Sequence, residues 1–268
     1  GDNLSIVPFR SLEYLKFEIM VEWEDWMHFE GECFPCLKEI YIRSCPRLRK
    51  SLPTHLPCLE KLQIDGCEDL EIESFPMKDI SCPKLESISL SATIHLKALH
   101  EDMHTLLPCL RHLSLSHCPQ LQLVHEISLP LSLVGISIHG CPKLIASRMS
   151  WGLDRLCSLK EFIVSDDFEN VESFPEQGLL PTGLTVLEFW GCSNLTKINS
   201  EGLLFVTSLQ RLRICHCPNL QCLPEEGLPN SLSQLEILGS CPLLKRRYQK
   251  ENGEDWLKIS HIPRVYIK

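Results

Sequence analysis

Residues 209–220 read LQRLRICHCPNL, and the spacing of the apolar residues in this stretch defines a unit that can be sought in the rest of the chain. Leu209, Leu212 and Ile214 precede a His-Cys-Pro sequence, and Leu220 follows the cysteine by three residues. The unit is L-x-x-[LIF]-x-[ILVF]-x-x-C-P-x-L. Because positions 4 and 6 are apolar and positions 3, 5 and 7 are mostly not, the unit predicts a short strand with one buried face.

The same unit recurs in one phase along the chain. Copies begin near Leu12, Leu37, Leu59, Leu85, Leu110, Leu133, Leu159, Leu184, Leu209 and Leu232. From Leu37 onward they are 22, 26, 25, 23, 26, 25, 25 and 23 residues apart, within the 20–29-residue period of leucine-rich repeats. Three copies depart from the unit: Thr93 and Asp167 replace the cysteine, and Cys241 comes one residue late, which leaves the concave register there open by one position.

These repeats predict a leucine-rich-repeat solenoid, a horseshoe or arc with short parallel β-strands on its concave face. On the convex face we expect irregular loops and short helical turns, because proline-rich returns such as SFPEQGLLPTG (173–183) lack amide donors and disfavour helix. No repeat can bury its apolar face alone, so residues 1–268 are predicted to form a single domain. Residues 245–268 are predicted to cap its C-terminal end.

Composition excludes several classes of protein. The net charge of -9 argues against a nucleic-acid binder, which needs a basic face, and the run Lys245–Arg247 is interpreted as a solvated edge. The chain has no apolar run of the ~20 residues that a membrane helix requires, and its first residues do not resemble a signal peptide. Fifteen cysteines in a chain of 268 residues indicate reduced thiols and a cytosolic compartment.

The cysteines and histidines could suggest chemistry, but their phase favours structural roles. Cys33, Cys36 and Cys45 have dithiol-like or zinc-like spacing; yet Cys36 directly precedes a repeat leucine, as Cys58 and Cys109 do, which is typical of a packing position. The cysteines at position 9 are predicted to be core residues, and they are Cys45, Cys67, Cys118, Cys141, Cys192 and Cys217. His117 and His139 lie on adjacent repeats without further ligands at metal spacing. We expect no metal, no cofactor and no enzymatic activity, since no catalytic motif occurs.

Several segments carry a more specific resemblance. MVEWEDW (20–26), LPEEGLPNSLSQLEI (223–237) and GEDWLKISHIP (253–263) resemble the C-terminal repeats of plant coiled-coil nucleotide-binding leucine-rich-repeat (NLR) disease resistance proteins. The resemblance implies a sensor module that recognises a pathogen effector or an altered host protein and holds a nucleotide-binding switch domain inactive. The phosphate loop G-x-x-x-x-G-K-[ST] does not occur in this sequence, so we expect no bound ATP or ADP.

Recognition is therefore expected on outward positions of the concave face. Trp190 is the leading candidate, because tryptophan and arginine are common interface anchors. Arg211 and Arg213 could serve an acidic partner or pair with Glu188 and Glu236 across strands. The predicted partner-binding residues are Tyr41, Arg43, Asp65, His117, His139, Glu161, Asp166, Glu188, Trp190, Arg211, Arg213, Cys215 and His216.

Two other classes compete with an immune-receptor module. The repeats of an F-box substrate adaptor of a ubiquitin ligase also carry cysteine at the turn, but regular short helices would be expected there. An extracellular receptor would show paired capping cysteines, which are absent from this sequence. The favoured interpretation is a protein-binding module of an intracellular plant receptor, cytoplasmic or nucleo-cytoplasmic, without nucleic-acid or membrane partners.

Overall fold

The computed structural model describes residues 9–26, 33–49, 52–77, 80–123, 129–166, 171–225, 227–250 and 252–268. The chain divides into two compact units, an N-terminal unit of residues 1–132 and a C-terminal unit of residues 133–268. Each unit consists of leucine-rich-repeat coils, and each is described separately below.

The N-terminal unit is built on a parallel sheet of one strand per repeat. Its elements in chain order are β1 (Tyr14–Glu18), β2 (Glu39–Arg43), β3 (Lys61–Asp65), β4 (Ser74–Phe75), β5 (Ser87–Ser91), β6 (Ala98–Leu99), α1 (Met103–Leu106) and β7 (His112–Ser116). Strands β1, β2, β3, β5 and β7 pair in that order without a shift in register, so that Tyr41 lies beside Gln63 and Gln63 beside Ser89. The short strands β4 and β6 pair with each other in the return segments.

The C-terminal unit repeats this plan. Its elements are β8 (Gly135–His139), α2 (Pro142–Ala146), β9 (Glu161–Ser165), β10 (Ser173–Phe174), β11 (Val186–Trp190), β12 (Lys197–Ile198), α3 (Ser200–Leu204), β13 (Arg211–Cys215), β14 (Gln234–Leu238), α4 (Pro242–Tyr248), α5 (Trp256–Ile259) and β15 (Arg264–Ile267). Strands β8, β9, β11, β13, β14 and β15 form a parallel sheet in that order, and β10 pairs with β12. The returns also hold two 3-10 turns, Arg148–Ser150 and Leu153–Arg155.

Burial along the strands follows the predicted alternation. In β2, β3 and β5 the second and fourth residues are buried while the others are half-buried, which confirms that positions 4 and 6 face the core. The leucines that open the repeats from Leu37 to Leu232 are also buried. Leu195, which follows the repeat cysteine Cys192 by three residues, is also buried in the core. The return segments contain short helices and loops, which confirms the structure expected on the convex face.

The cysteines at position 9 are core residues, as predicted, and their thiols bond to backbone. Each of the six is buried. Cys118 and Cys192 each donate to the carbonyl two residues earlier, at 3.3 and 3.4 Å, and lie 3.9 and 3.8 Å from a carbonyl of the preceding repeat. Thr93 occupies the same place with its hydroxyl 3.1 Å from the Cys118 sulfur, while Asp167 lies outside the described residues. A small, weakly polar side chain suits a turn that must also satisfy buried carbonyls.

The residue between strand and cysteine adopts a left-handed conformation in repeat after repeat. Positive φ occurs at Ser44, Gly66, Ala92 and His117 in the N-terminal unit, and at Gly140, Asp166, Gly191, His216 and Gly239 in the C-terminal unit. Glycine takes this conformation without strain. At Gly191 and Gly239 it also leaves room, because an added Cβ would overlap the Asp166 carboxylate or the His216 ring of the preceding repeat.

The last full repeat keeps its register despite the extra residue before Cys241. Leu235 pairs with Leu212 and Ile237 with Ile214, and all four are buried. The extra residue is accommodated after the strand. Beyond it, Arg247 pairs with Asp255, and the Leu223 amide donates to the Tyr248 hydroxyl at 3.0 Å. No helix in the described ranges is long and apolar enough to cross a membrane.

Candidate functional site

The concave face of the C-terminal unit presents three rows of outward side chains across its strands. The strand register places Glu161, Val186, Arg211, Gln234 and Arg264 in the first row, Ile163, Glu188, Arg213, Glu236 and Tyr266 in the second, and Ser165, Trp190, Cys215 and Leu238 in the third. Each row runs perpendicular to the strands, so neighbouring members lie about 4.8 Å apart.

An ion triad occupies the middle of the second row. Arg213 donates to Glu236 at 2.6 Å (Nε to Oε2) and approaches Glu188 at 3.1 Å (Nη1 to Oε1). Both carboxylates are buried, Glu188 being 5% exposed and Glu236 7%. The hydrogen bond from Arg213 lowers the pKa of Glu236, and the same bond raises the pKa of Arg213. The pairing that the sequence left as an alternative for Arg213 is therefore present, and it fixes this side chain within the surface.

Trp190 stands beside the triad with its ring open to solvent. Its indole N–H donates to Glu188 at 3.1 Å, and 40% of the residue is exposed. The hydrogen bond holds the ring in one orientation, so little side-chain entropy would be lost if a partner packed on it. A large, fixed, accessible aromatic group is the commonest type of interface anchor.

Cys215 does not belong to the accessible surface, and its assignment as a contact residue is wrong. The side chain points outward from the strand as expected, but it is 1% exposed, because it is small and lies in register between Trp190 and Leu238. Burial also raises the pKa of its thiol to about 11. Glu188, another predicted contact residue, is likewise buried, and its carboxylate binds Arg213 and Trp190.

Other predicted residues of this unit lie at the margin of the face. His139 Nδ1 is 3.5 Å from Asp166 Oδ2 and bonds to the Ser165 hydroxyl. His216 is exposed and accepts a hydrogen bond from the Ser240 amide at 3.3 Å. Glu161 is half-buried at the end of the first row. These side chains frame the central rows but are not drawn into one cluster.

The N-terminal unit holds a separate set of predicted residues on its own concave face. Tyr41 packs against Tyr14, with ring centroids 5.3 Å apart, and the Lys61 ammonium lies 5.2 Å from the Tyr41 centroid. Arg43 and Asp65 are half-buried at the carboxyl ends of their strands, and His117 is exposed. On this face one ring of the aromatic pair, that of Tyr41, already has a cation over it.

The cysteines that precede repeat leucines are not all packing residues. Cys36 and Cys109 are exposed and Cys58 is half-buried, so the predicted packing role is wrong for the first two. Within the described ranges no group of three or more histidine, cysteine or acidic residues is placed to hold a metal ion.

This distribution predicts a selective pattern of thiol labelling. Under native conditions Cys36, Cys109 and Cys157, all exposed, should react first with iodoacetamide. Cys215 and Cys217 should remain unmodified, since they are buried and their thiol pKa values are raised to about 11 and about 12, and the thiolate is the reactive form. Mass spectrometry of digested protein before and after unfolding measures the order. Early labelling of Cys215 would show that its surroundings open.

Comparison with known proteins gives relatives over most of the chain. No family model matches. The disease resistance protein At3g14460 of Arabidopsis thaliana is 32% identical over 268 residues, which covers 98% of this chain and 18% of that protein. The RPP13-like disease resistance protein 1 of the same plant is 30% identical over 50% of this chain and 15% of that protein. Disease resistance protein RGA4 of Solanum bulbocastanum is 43% identical over 19% of this chain.

Among solved structures, human 5T4, the trophoblast glycoprotein, is 16% identical in sequence to this chain and has a TM-score of 0.44. The match covers 70% of this chain and 74% of that one. The chain spans less than a fifth of the length of At3g14460 and of the RPP13-like protein 1.

Proposed function

We propose that this leucine-rich-repeat chain, which is similar over nearly its whole length to a segment of the disease resistance protein At3g14460, is a protein-recognition module of a plant immune receptor. Its partner would be a pathogen effector or a host protein altered by one. The observation that carries the proposal is the concave face of the C-terminal unit, where Trp190 is exposed yet fixed by Glu188. Trp190, Arg211 and the marginal residues His139, Glu161, Asp166 and His216 would make the contacts.

The same module would hold a nucleotide-binding switch domain inactive in the full receptor. Support for this comes from the resemblance of residues 20–26, 223–237 and 253–263 to the C-terminal repeats of NLR proteins, and from the relatives, which are several times longer than this chain. The residues on the N-terminal unit, Tyr41, Arg43, Asp65 and His117, are candidates for this second contact. On this proposal the chain is cytoplasmic or nucleo-cytoplasmic, binds no cofactor and is not an enzyme.

Substituting Trp190 with alanine should weaken binding to a recognised protein by about 2 kcal/mol, roughly 30-fold, because truncation of a buried interface anchor has an effect of this size. The purified chain would be screened by biolayer interferometry against secreted pathogen proteins and host proteins, and every binder would be measured again with the variant. Urea unfolding of both proteins should give similar stability, since the ring is largely outside the core.

Leu204→Ala is the matched control for this substitution. Leu204 is 69% exposed and lies on α3, in a return segment away from the strands, so its removal should leave binding unchanged. If binders tolerate the loss of Trp190 and are lost with Leu204, recognition occurs on the return side and the proposed site is wrong.

A further inference from the structure

We infer that Arg211 and Arg264 form a clamp for the carboxylate of an acidic segment in the partner protein. The inference rests on the proposed function and gives it a chemical class of partner. It concerns the first row of the concave face, where the strand register places Gln234 between the two arginines. We call the set Arg211, Gln234 and Arg264 the arginine clamp.

The three arginines of this face differ in what they already bind. Arg213 is engaged by two carboxylates. The Arg211 side chain forms no ion pair or hydrogen bond with a described residue, although its charge helps to lower the pKa of Glu236, and its Nε is buried without an acceptor. A buried unpaired donor is unfavourable, so a guanidinium that turned toward an incoming anion would gain an acceptor that this surface lacks. Arg264 is exposed and likewise unpaired among the described residues.

The local charge favours an anion despite the nearby carboxylates. In the two rows from β11 to β15, three guanidinium groups face two carboxylates. Glu236 is already bound by Arg213 and by the side chain of Gln234, and Glu188 by Arg213 and Trp190. Glu161 lies in the same row as the clamp but two strands away from Arg211. The remaining positive charge is therefore at Arg211 and Arg264.

The geometry of the sheet sets the spacing that a ligand needs. Two strand separations place the Cα atoms of Arg211 and Arg264 on the order of 10 Å apart, which long side chains can close around one carboxylate. Trp190 lies four residues further along the strand direction and one strand across from Arg211, about 14 Å away. An extended peptide would therefore bring an acidic side chain to the clamp and an apolar one to Trp190 when the two are about four residues apart.

The test uses degenerate peptide pools in which leucine and a second fixed residue are four positions apart, in both orders. The second residue is glutamate, lysine or phosphoserine in otherwise identical pools, and binding to the purified chain is measured by fluorescence polarisation. We expect the glutamate pool to bind about tenfold more tightly than the lysine pool. Arg211→Gln and Arg264→Gln should each remove most of that preference while leaving the lysine pool unchanged.

Two control variants separate this inference from the proposed function. Arg246→Gln removes an exposed arginine outside the clamp and should preserve the preference. Trp190→Ala should weaken binding of the glutamate pool and of the lysine pool equally. If binding of both pools is unchanged in this variant, the proposed site is contradicted but the clamp is not. The assignment to a carboxylate is overturned if the preference for glutamate survives both clamp substitutions. It is also overturned if no pool binds, if the pools bind equally, or if the phosphoserine pool is preferred to the glutamate pool.

Discussion

Replacing Arg213 with methionine is expected to lower the free energy of unfolding at pH 7 by about 3 kcal/mol, because two buried carboxylates would lose their cation. Glu188 and Glu236 are almost entirely covered, while the Arg213 side chain is 28% exposed. The aliphatic part of methionine preserves much of the packing, so the loss reports mainly on charge. Urea unfolding followed by circular dichroism measures it.

The effect of this substitution should depend on pH. Since Arg213 lowers the pKa of Glu236 in the folded protein, the pair contributes stability that is present above the ordinary glutamate pKa of about 4.3 and is lost as pH falls through the folded value. In Arg213→Met that contribution is missing at every pH, and protonation relieves the unpaired carboxylates. The difference between the two proteins should therefore be largest near pH 7 and shrink below about pH 4.

Two further variants test the cause of this loss. Arg246→Met carries the same change at an exposed position and should alter stability by less than about 0.5 kcal/mol. Adding Glu236→Gln to Arg213→Met should recover part of the stability, because one buried charge is removed. A loss that is equal at about pH 3 and pH 7, or that the second substitution does not reduce, would show that packing rather than charge is responsible.

Much of the fold could be predicted because the repeat is a one-dimensional pattern. The spacing of Leu209, Leu212 and Ile214 fixes which side chains face the core. The same spacing assigns Cys217 to the buried turn and Cys215 to the outward side of the strand, although they are two residues apart. The left-handed residue before each cysteine was available as a signal too, since glycine recurs at that place in Gly66, Gly140 and Gly191. In other repeats a non-glycine residue such as His117 occupies this position, and there the sequence does not indicate the left-handed conformation.

The site could be predicted less completely because its properties depend on neighbouring strands. Cys215 points outward, but the size of Trp190 and Leu238 beside it decides that it is covered. Arg211 and Arg213 are equivalent in the repeat pattern. What distinguishes them is that glutamates flank Arg213 on both neighbouring strands while valine and glutamine flank Arg211. Such differences follow from the register between repeats, which must be known to one residue.

Substituting Phe174 with alanine should lower the free energy of unfolding by about 3–5 kcal/mol, the usual effect of removing a fully buried aromatic side chain. Phe174 lies on β10 and is inaccessible to solvent. Its ring is 6.2 Å from that of Phe162, in a stacked arrangement, and 5.8 Å from that of Phe189, edge to face. Phe162 and Phe174 belong to one repeat and Phe189 to the next, so the cavity removes contacts both within a coil and between neighbouring coils, and contacts between coils supply much of the stability of a solenoid.

Phe205→Ala provides the matched control for this prediction, since Phe205 is 48% exposed and follows α3 in the same unit. It should change stability by less than about 0.5 kcal/mol, as surface substitutions usually do. Thermal unfolding of the two variants, with native-state hydrogen exchange to locate the weakened coils, measures both effects. Loss of protection should be concentrated in β9, β10 and β11, which carry the three rings. Equal destabilisation by the two variants, or exchange that rises evenly through the unit, would contradict a core that is held together ring by ring between neighbouring repeats.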